Sequence, residues 1–230
     1  MRATLKHIHN HGPAISSYFF EPEHQFRFVP GEYTELYVPH NSPDNRGESR
    51  KFTIASAPRA SLIEIITTFS TPASTFKRAL RKLQPGDTVQ LSETTGDFVL
   101  PKDTAIPLRF VAAGIGISPA LSMARWLQHT NEHRDVAIVH GASDKAAFTV
   151  AADIVAGQAQ YTPILRRADP LWTGQTGSLS GERILQILQP PANSLIYLAG
   201  PEKLIETWRE QLLQQGVASS QIVTDLFTGY

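Results

Sequence analysis

Cysteine is absent from the 230-residue chain, which removes disulfides, thiolate zinc sites, cysteine nucleophiles and cysteine-ligated iron–sulfur clusters from what these residues can do. An excess of either charge is missing too: 21 basic side chains meet 21 acidic ones, and charged residues make up 18% of the chain. The balance holds in both halves, with 12 basic and 11 acidic side chains up to Thr104 and 9 and 10 after it. Binding to nucleic acid by counterion release, or to an anionic membrane surface, calls for a basic stripe, so neither is an expected partner. No apolar run approaches the length of a membrane span, and Met1 to His7 lacks the apolar core of an export signal, so a cytoplasmic location is expected. Hydrophobic residues are nonetheless 41% of the chain, enough for one large domain or two modest ones, each with a core.

The periodicity favours two. Up to about residue 100, short β-branched and aromatic runs lie between turn residues: 17–20, 32–38, 51–56, 62–69 and 88–91. They predict closely spaced strands of a small antiparallel Greek-key β-barrel. Phe76, Leu80 and Leu83 at helical spacing predict one helix from Pro72 to Leu83, ended by Pro85-Gly86. After Ile106-Pro107 the pattern alternates, with strands predicted at 108–112, 135–140, 161–165, 194–199 and from 222, and helices at 119–128, 181–188 and 201–215. Such alternation predicts a Rossmann-like parallel sheet with flanking helices. The expected boundary is near residue 104, giving domains 1–104 and 105–230 with a ligand cleft between them.

Two glycines in Ala113-Gly114-Ile115-Gly116-Ile117-Ser118-Pro119 stand between an apolar strand and a helix. Glycine admits close backbone approach to a pyrophosphate, and the amides of the following helix attract the anion, although the same pattern also serves a plain tight turn. Pro119 suits a first helical turn under either reading. His140-Gly141-Ala142 and Ala199-Gly200-Pro201 end two further apolar strands in the same way, at the sheet edge where open α/β sheets bind ligands. In the first half, Arg50-Lys51-Phe52-Thr53 reads as a strand with Arg50 and Phe52 on one face and Thr53 on the other. An arginine fork can hold a phosphate and a hydroxyl can bond a ring edge.

Together these segments resemble the ferredoxin-NADP reductase superfamily of flavoenzymes over the whole chain. Arg50 to Thr53 is similar to the family's Arg-x-Tyr-Ser/Thr flavin signature, with Phe52 for tyrosine, and Pro30-Gly31-Glu32-Tyr33 resembles its Pro-Gly-Gln-Tyr. The resemblance implies that Arg50 holds the flavin pyrophosphate, with Lys51 beside it, that Phe52 packs beside the isoalloxazine, and that Thr53 bonds near N5. Thr71-Pro72-Ala73-Ser74 occupies the place of Gly-x-x-Ser. Pro72, Ala73, Ser74 and Thr75 are then implied pyrophosphate contacts, and the missing glycine leaves FMN open beside FAD. Residues 113–119 resemble Gly-Gly-x-Gly-Ile-x-Pro, so Gly114, Gly116, Ser118 and Pro119 are implied to bind the nicotinamide dinucleotide, with Gly141, Gly200 and Pro201. Ala199 stands where relatives carry a cysteine beside the nicotinamide. Asp225-Leu226-Phe227 resembles the Glu-x-Phe ending of bacterial relatives, and Phe227 or Tyr230 is a candidate flavin cover. Thr53, Ala199 and Asp225 thus fall beside the reacting rings. Ser143, Arg166 and Arg167 lie where relatives select the cofactor, and the arginines favour NADPH while leaving NADH open.

The implied activity is transfer of electrons from NAD(P)H through bound flavin to an external redox protein, ferredoxin or a similar small carrier. Two alternatives stay open: an NAD(P)H:flavin reductase that uses free flavin as substrate, and a non-catalytic binding module of the same fold. Lys77, Arg78, Arg81 and Lys82 are expected to share a basic helix face on which an acidic carrier could be steered. His7, His9 and His11 share a strand face but lack a convergent fourth ligand, so no metal is assigned to them.

Overall fold

The computed structural model describes residues 1–155, 157 and 159–227. Its first half holds six strands, β1 (Arg2–Asn10), β2 (Ile15–Pro22), β3 (Tyr33–Tyr37), β4 (Ser49–Thr53), β5 (Ile63–Thr68) and β6 (Thr88–Leu91), and one helix, α1 (Thr75–Lys82). Every pairing is antiparallel, in the order β4-β3-β6-β1-β2-β5. The sheet curls until its two edges meet at one bridge, Ile54 to Ile65. The result is barrel-like without a continuous closing ladder. Alternate residues such as Leu5, Phe20, Leu36, Ile65 and Leu91 fill its interior and are essentially inaccessible to solvent, as the two-residue period of a strand requires.

The second half runs β7 (Leu108–Ala113), a 3₁₀ turn (Gly114–Ile117), α2 (Ser118–Thr130), β8 (Val136–Ala142), α3 (Ala146–Thr149), α4 (Ala152–Val155), β9 (Gln160–Leu165), β10 (Gln175–Thr176), α5 (Gly181–Leu188), β11 (Leu195–Pro201), α6 (Glu202–Gln214) and β12 (Ile222–Phe227). Its six strands are parallel in the order β10-β9-β8-β7-β11-β12. All six residues of β7 are buried, as expected of a central strand covered on both faces. The chain leaves β7 in one direction through β8, β9 and β10, then returns to its other side with β11. The order therefore reverses at the carboxyl end of β7, the crevice where open α/β sheets take ligands.

Helix α2 begins at that reversal and also fastens the two halves together. Ser122 Oγ donates to the carbonyl of Ser56 at 2.8 Å, and Arg125 donates to the carbonyl of Ala55 at 2.8 Å and to Glu64, a β5 carboxylate only 4% exposed. Tyr197 Oη adds a bond to the carbonyl of Val99 at 2.8 Å. Because buried polar groups need partners, these bonds fix the relative placement of the halves. Among the described residues, no helix is long and apolar enough to cross a membrane.

The predicted elements recur with shifted ends. The first helix starts at Thr75 rather than Pro72 because Ser74 is its N-cap, accepting from the amide of Lys77. The short α3, α4 and β10 had no counterpart in the sequence reading, being too brief to show a period.

Candidate active site

Two cavities meet where the halves join. The first, about 600 Å³, lies over β4 and is bordered by Arg46, Arg50, Lys51, Phe52 and Thr53 from the first half and by Ser118 and Asp225 from the second. Alternation along β4 sends Phe52 toward Phe76 and Thr53 toward Asp225, and both border this space at the edge of the sheet. The second cavity, about 440 Å³, sits at the carboxyl end of β7 and is bordered by Gly114, Gly141, Ser143, Arg166 and Pro201. Ile115 and Phe227 border both.

Arg50 is held in a fixed pose. Its Nη1 donates to the carbonyls of Arg46 at 2.9 Å and Gly47 at 3.1 Å, its Nη2 meets Asp44 at 3.1 Å, and its guanidinium carbon lies 5.1 Å from the Phe76 ring centroid. Lys51 lies over Tyr33, 5.1 Å from the ring centroid. Arg46, Arg50 and Lys51 share this wall with two carboxylates, Asp44 and Glu35, so it keeps an excess of positive charge suited to an anion.

Thr53 Oγ1 donates to Asp225 Oδ2 at 2.9 Å, a contact made possible because β12 pairs with β11 so that Asp225 lies opposite Ala199. Burial pushes the Asp225 carboxyl up to about 6, against the opposing effect of the Thr53 hydrogen bond. The folded chain therefore binds more protons than the unfolded chain between about pH 4 and 6, so stability falls as pH rises through that window. Asp225→Asn removes the ionisation and keeps an acceptor for Thr53. It should exceed the native chain in stability at pH 8 by at most about 3 kcal/mol, with the gap closing toward pH 4. Urea unfolding at the two pH values checks this, and an equal gap at both rejects burial of the charge as the cause.

The glycine turn is built by close packing. Gly116 is buried, and a Cβ placed on it would lie 2.2 Å from the carbonyl oxygen of Ala199. Gly116, Pro119, Ala199 and Gly200 thus form the floor behind the second cavity rather than its surface. Ser118 closes the turn by donating from Oγ to the carbonyl of Ile115 at 2.8 Å.

Other expected residues fall elsewhere. Pro72, Ala73, Ser74 and Thr75 do not border either cavity: the Ser74 hydroxyl caps α1, and Thr75 Oγ1 accepts from the amide of Asp44 at 2.9 Å. Arg166 borders the second cavity with Ser143, and Arg167 does not. Tyr230 lies outside the described residues. Lys77 leaves the basic helix face, because its ammonium turns inward to donate to Thr67 and lies 5.3 Å from the Phe52 ring and 5.8 Å from that of Phe69. Burial, with Arg50 and Arg46 nearby, pushes that ammonium down to about 8. Leu179 and Trp208 border the second cavity without having been singled out. Leu179 packs against Gly141, where a Cβ would come within 2.9 Å of it, a contact that no local sequence pattern encodes.

Known proteins show the same arrangement. The family of oxidoreductase NAD-binding domains matches residues 110–210. A flavohemoprotein of Bacillus cereus is 23% identical over 93% of this chain and 57% of its own length. The anthranilate 1,2-dioxygenase electron transfer component of Acinetobacter baylyi is 26% identical over 88% of this chain and 59% of its own. The chain thus spans less than two thirds of these curated relatives. A ferredoxin NADP+ reductase from Neisseria gonorrhoeae, solved with bound FAD and NADP, superposes with a TM-score of 0.84 at 20% identity, covering 98% of each chain. Residues 110–210 match the family of oxidoreductase NAD-binding domains, and the chain as a whole has the fold of the ferredoxin-NADP reductase-type FAD/NAD-binding flavoprotein reductases.

Proposed function

We propose that the chain is a flavin-dependent NAD(P)H oxidoreductase, with residues 1–104 forming the flavin domain and 105–230 the nicotinamide domain. The reading is carried by the two adjoining cavities, one walled by cations and aromatic rings and one at the sheet reversal, which share Ile115 and Phe227. Both volumes fall within the range of cofactor sites. The first cavity fits FAD by its donor set: Arg46, Arg50 and Lys51 for a phosphate, Phe52 and Tyr33 for a planar ring system. Flavin, when bound, supplies the conversion of an electron pair from NAD(P)H into single electrons for an outside acceptor.

The chain's own residues bind, align and hold a proton. Arg50 is pre-set by its bonds to the 44–49 segment and can take a phosphate without reorganising its fork. Thr53 and Asp225 place a hydroxyl and a carboxyl at the wall of the first cavity, and a carboxyl titrating near 6 can hold a proton close to neutral pH. Arg166 and Ser143 offer donors to an adenosine phosphate, which favours NADPH over NADH. The acceptor in this reading lies outside these 230 residues, in ferredoxin or a similar small carrier, since they hold no cysteine for a cluster of that kind.

One observation favours a second reading, an NAD(P)H:flavin reductase: the Ser74 hydroxyl is engaged within the chain as the cap of α1. The visible spectrum of the purified protein separates the two. A retained flavin that bleaches under anaerobic titration with NADPH, and at higher concentration with NADH, supports the proposal. A colourless protein active only with added flavin selects the reductase of free flavin.

A further inference from the structure

His140 interrupts the apolar run of β8 and has no exposed surface. Its Nε2 lies 2.7 Å from the carbonyl oxygen of Gly114 and its Nδ1 2.7 Å from Tyr161 Oη, so one ring joins β9 to the glycine turn after β7. Phe148 packs edge-on against it with ring centroids 5.1 Å apart. A carbonyl oxygen can only accept, so Nε2 carries the proton. Burial pushes the ring's pKa down to about 4, leaving Nδ1 as the acceptor for the Tyr161 hydroxyl at neutral pH. Tyr161 to His140 to Gly114 is therefore a hydrogen-bond chain with a single direction.

The consequence falls on one peptide plane. In a trans peptide the carbonyl of residue i and the amide of residue i+1 point oppositely. With the Gly114 carbonyl drawn toward His140, the Ile115 amide is turned the other way. It has no partner within its own 3₁₀ turn, since the first amides of a helical segment never do, and Ile115 borders both cavities. Gly114 holds a φ of +55°, a conformation from which its peptide could swing at little cost if nothing held it.

We infer that His140, oriented by Tyr161, is a positioning residue for the nicotinamide dinucleotide: it locks the Gly114–Ile115 peptide so that the turn presents an amide, not a carbonyl, to the bound molecule. This rests on the functional reading above and deepens it. An unlocked peptide could place its carbonyl toward the same space, where an acceptor would repel phosphate or carboxamide oxygen.

The test uses the full chain and measures NADP+ binding by calorimetry, flavin content by absorbance and stability by urea unfolding. His140→Leu removes the donor, and His140→Gln restores an N–H near the Nε2 position. Loss of one well-aligned hydrogen bond predicts a dissociation constant for NADP+ raised about tenfold in the leucine variant, with the glutamine variant within about threefold of the native chain. Flavin content stays unchanged in both. Equal binding by the two variants, whether both weak or both native-like, overturns the inference, because packing alone would then account for the residue. If the leucine variant does not fold, Tyr161→Phe decides, since it keeps the imidazole and its Nε2 proton and removes the hydroxyl that orients the ring. Weaker NADP+ binding with unchanged flavin content supports the lock, and unchanged NADP+ binding overturns it. A native chain that binds flavin but no nicotinamide dinucleotide defeats the functional reading and this inference with it, an outcome distinct from equal behaviour of the variants.

Discussion

Gly116→Ala should destabilise the protein by about 3 kcal/mol, at the upper end of the usual penalty for forcing atoms into a packed interior, and should weaken nicotinamide binding at least as severely. The added methyl would meet backbone, at 2.2 Å from the Ala199 oxygen, 2.6 Å from its carbonyl carbon and 2.9 Å from Gly200 Cα. No rotamer change relieves such a contact, so the turn after β7 must move away from β11 beside the second cavity. Gly114→Ala provides the contrast. Nothing lies within 4 Å of a Cβ there, and only the left-handed φ is penalised, which costs about 1–2 kcal/mol. Urea unfolding and NADP+ titration of both variants check the ranking. If the Gly114 variant proves the more damaging, the close approach of the two glycine turns is not what shapes the site.

The second large effect is expected at Arg50. Arg50→Ala should leave the purified protein with little flavin and raise the flavin dissociation constant about a hundredfold, as expected when a bidentate charge-assisted contact worth about 3 kcal/mol is removed. Arg50→Lys keeps the charge but not the fork, and should fall between the two. The structure adds a reason for the size of the loss. Arg50 also ties down the 44–49 segment through Asp44 and the carbonyls of Arg46 and Gly47, so its removal loosens the wall that carries Arg46. Flavin stoichiometry by absorbance and affinity by fluorescence quenching measure the effect. Native flavin content in Arg50→Ala would remove this residue from the flavin site.

Much of this architecture was readable in the residue order, and the exceptions have physical causes. The second half was legible because β7 is apolar throughout and is followed at once by glycines and a proline, a pattern that few backbones other than strand, turn and helix accommodate. The first half was legible from alternation, which sets Arg50 and Phe52 on the Phe76 side of β4 and Thr53 on the other, toward Asp225. Ser74 illustrates a limit: its hydroxyl suits a helix cap and a phosphate equally well, and only the coordinates reveal that the Lys77 amide takes it. Lys77 sits next to Phe76 on the rim of the buried stripe of α1, where a long side chain can fold inward or outward with no difference in helical period. The Thr53–Asp225 contact spans 172 residues and depends on the register of β12 against β11, which no local pattern encodes. His140 carried a faint signal, one polar residue within an apolar strand, whose meaning depends on a tyrosine 21 positions away.

Phe227 belongs to the walls of both cavities, so two occupants would be heterotropically linked through it. Any shift of the ring that admits a molecule on one side remodels the space on the other. By linkage, the factor by which an occupant of the first cavity changes affinity in the second equals the factor in the reverse direction. Phe227 and Ile115, the residues common to both walls, are where such a coupling would be carried.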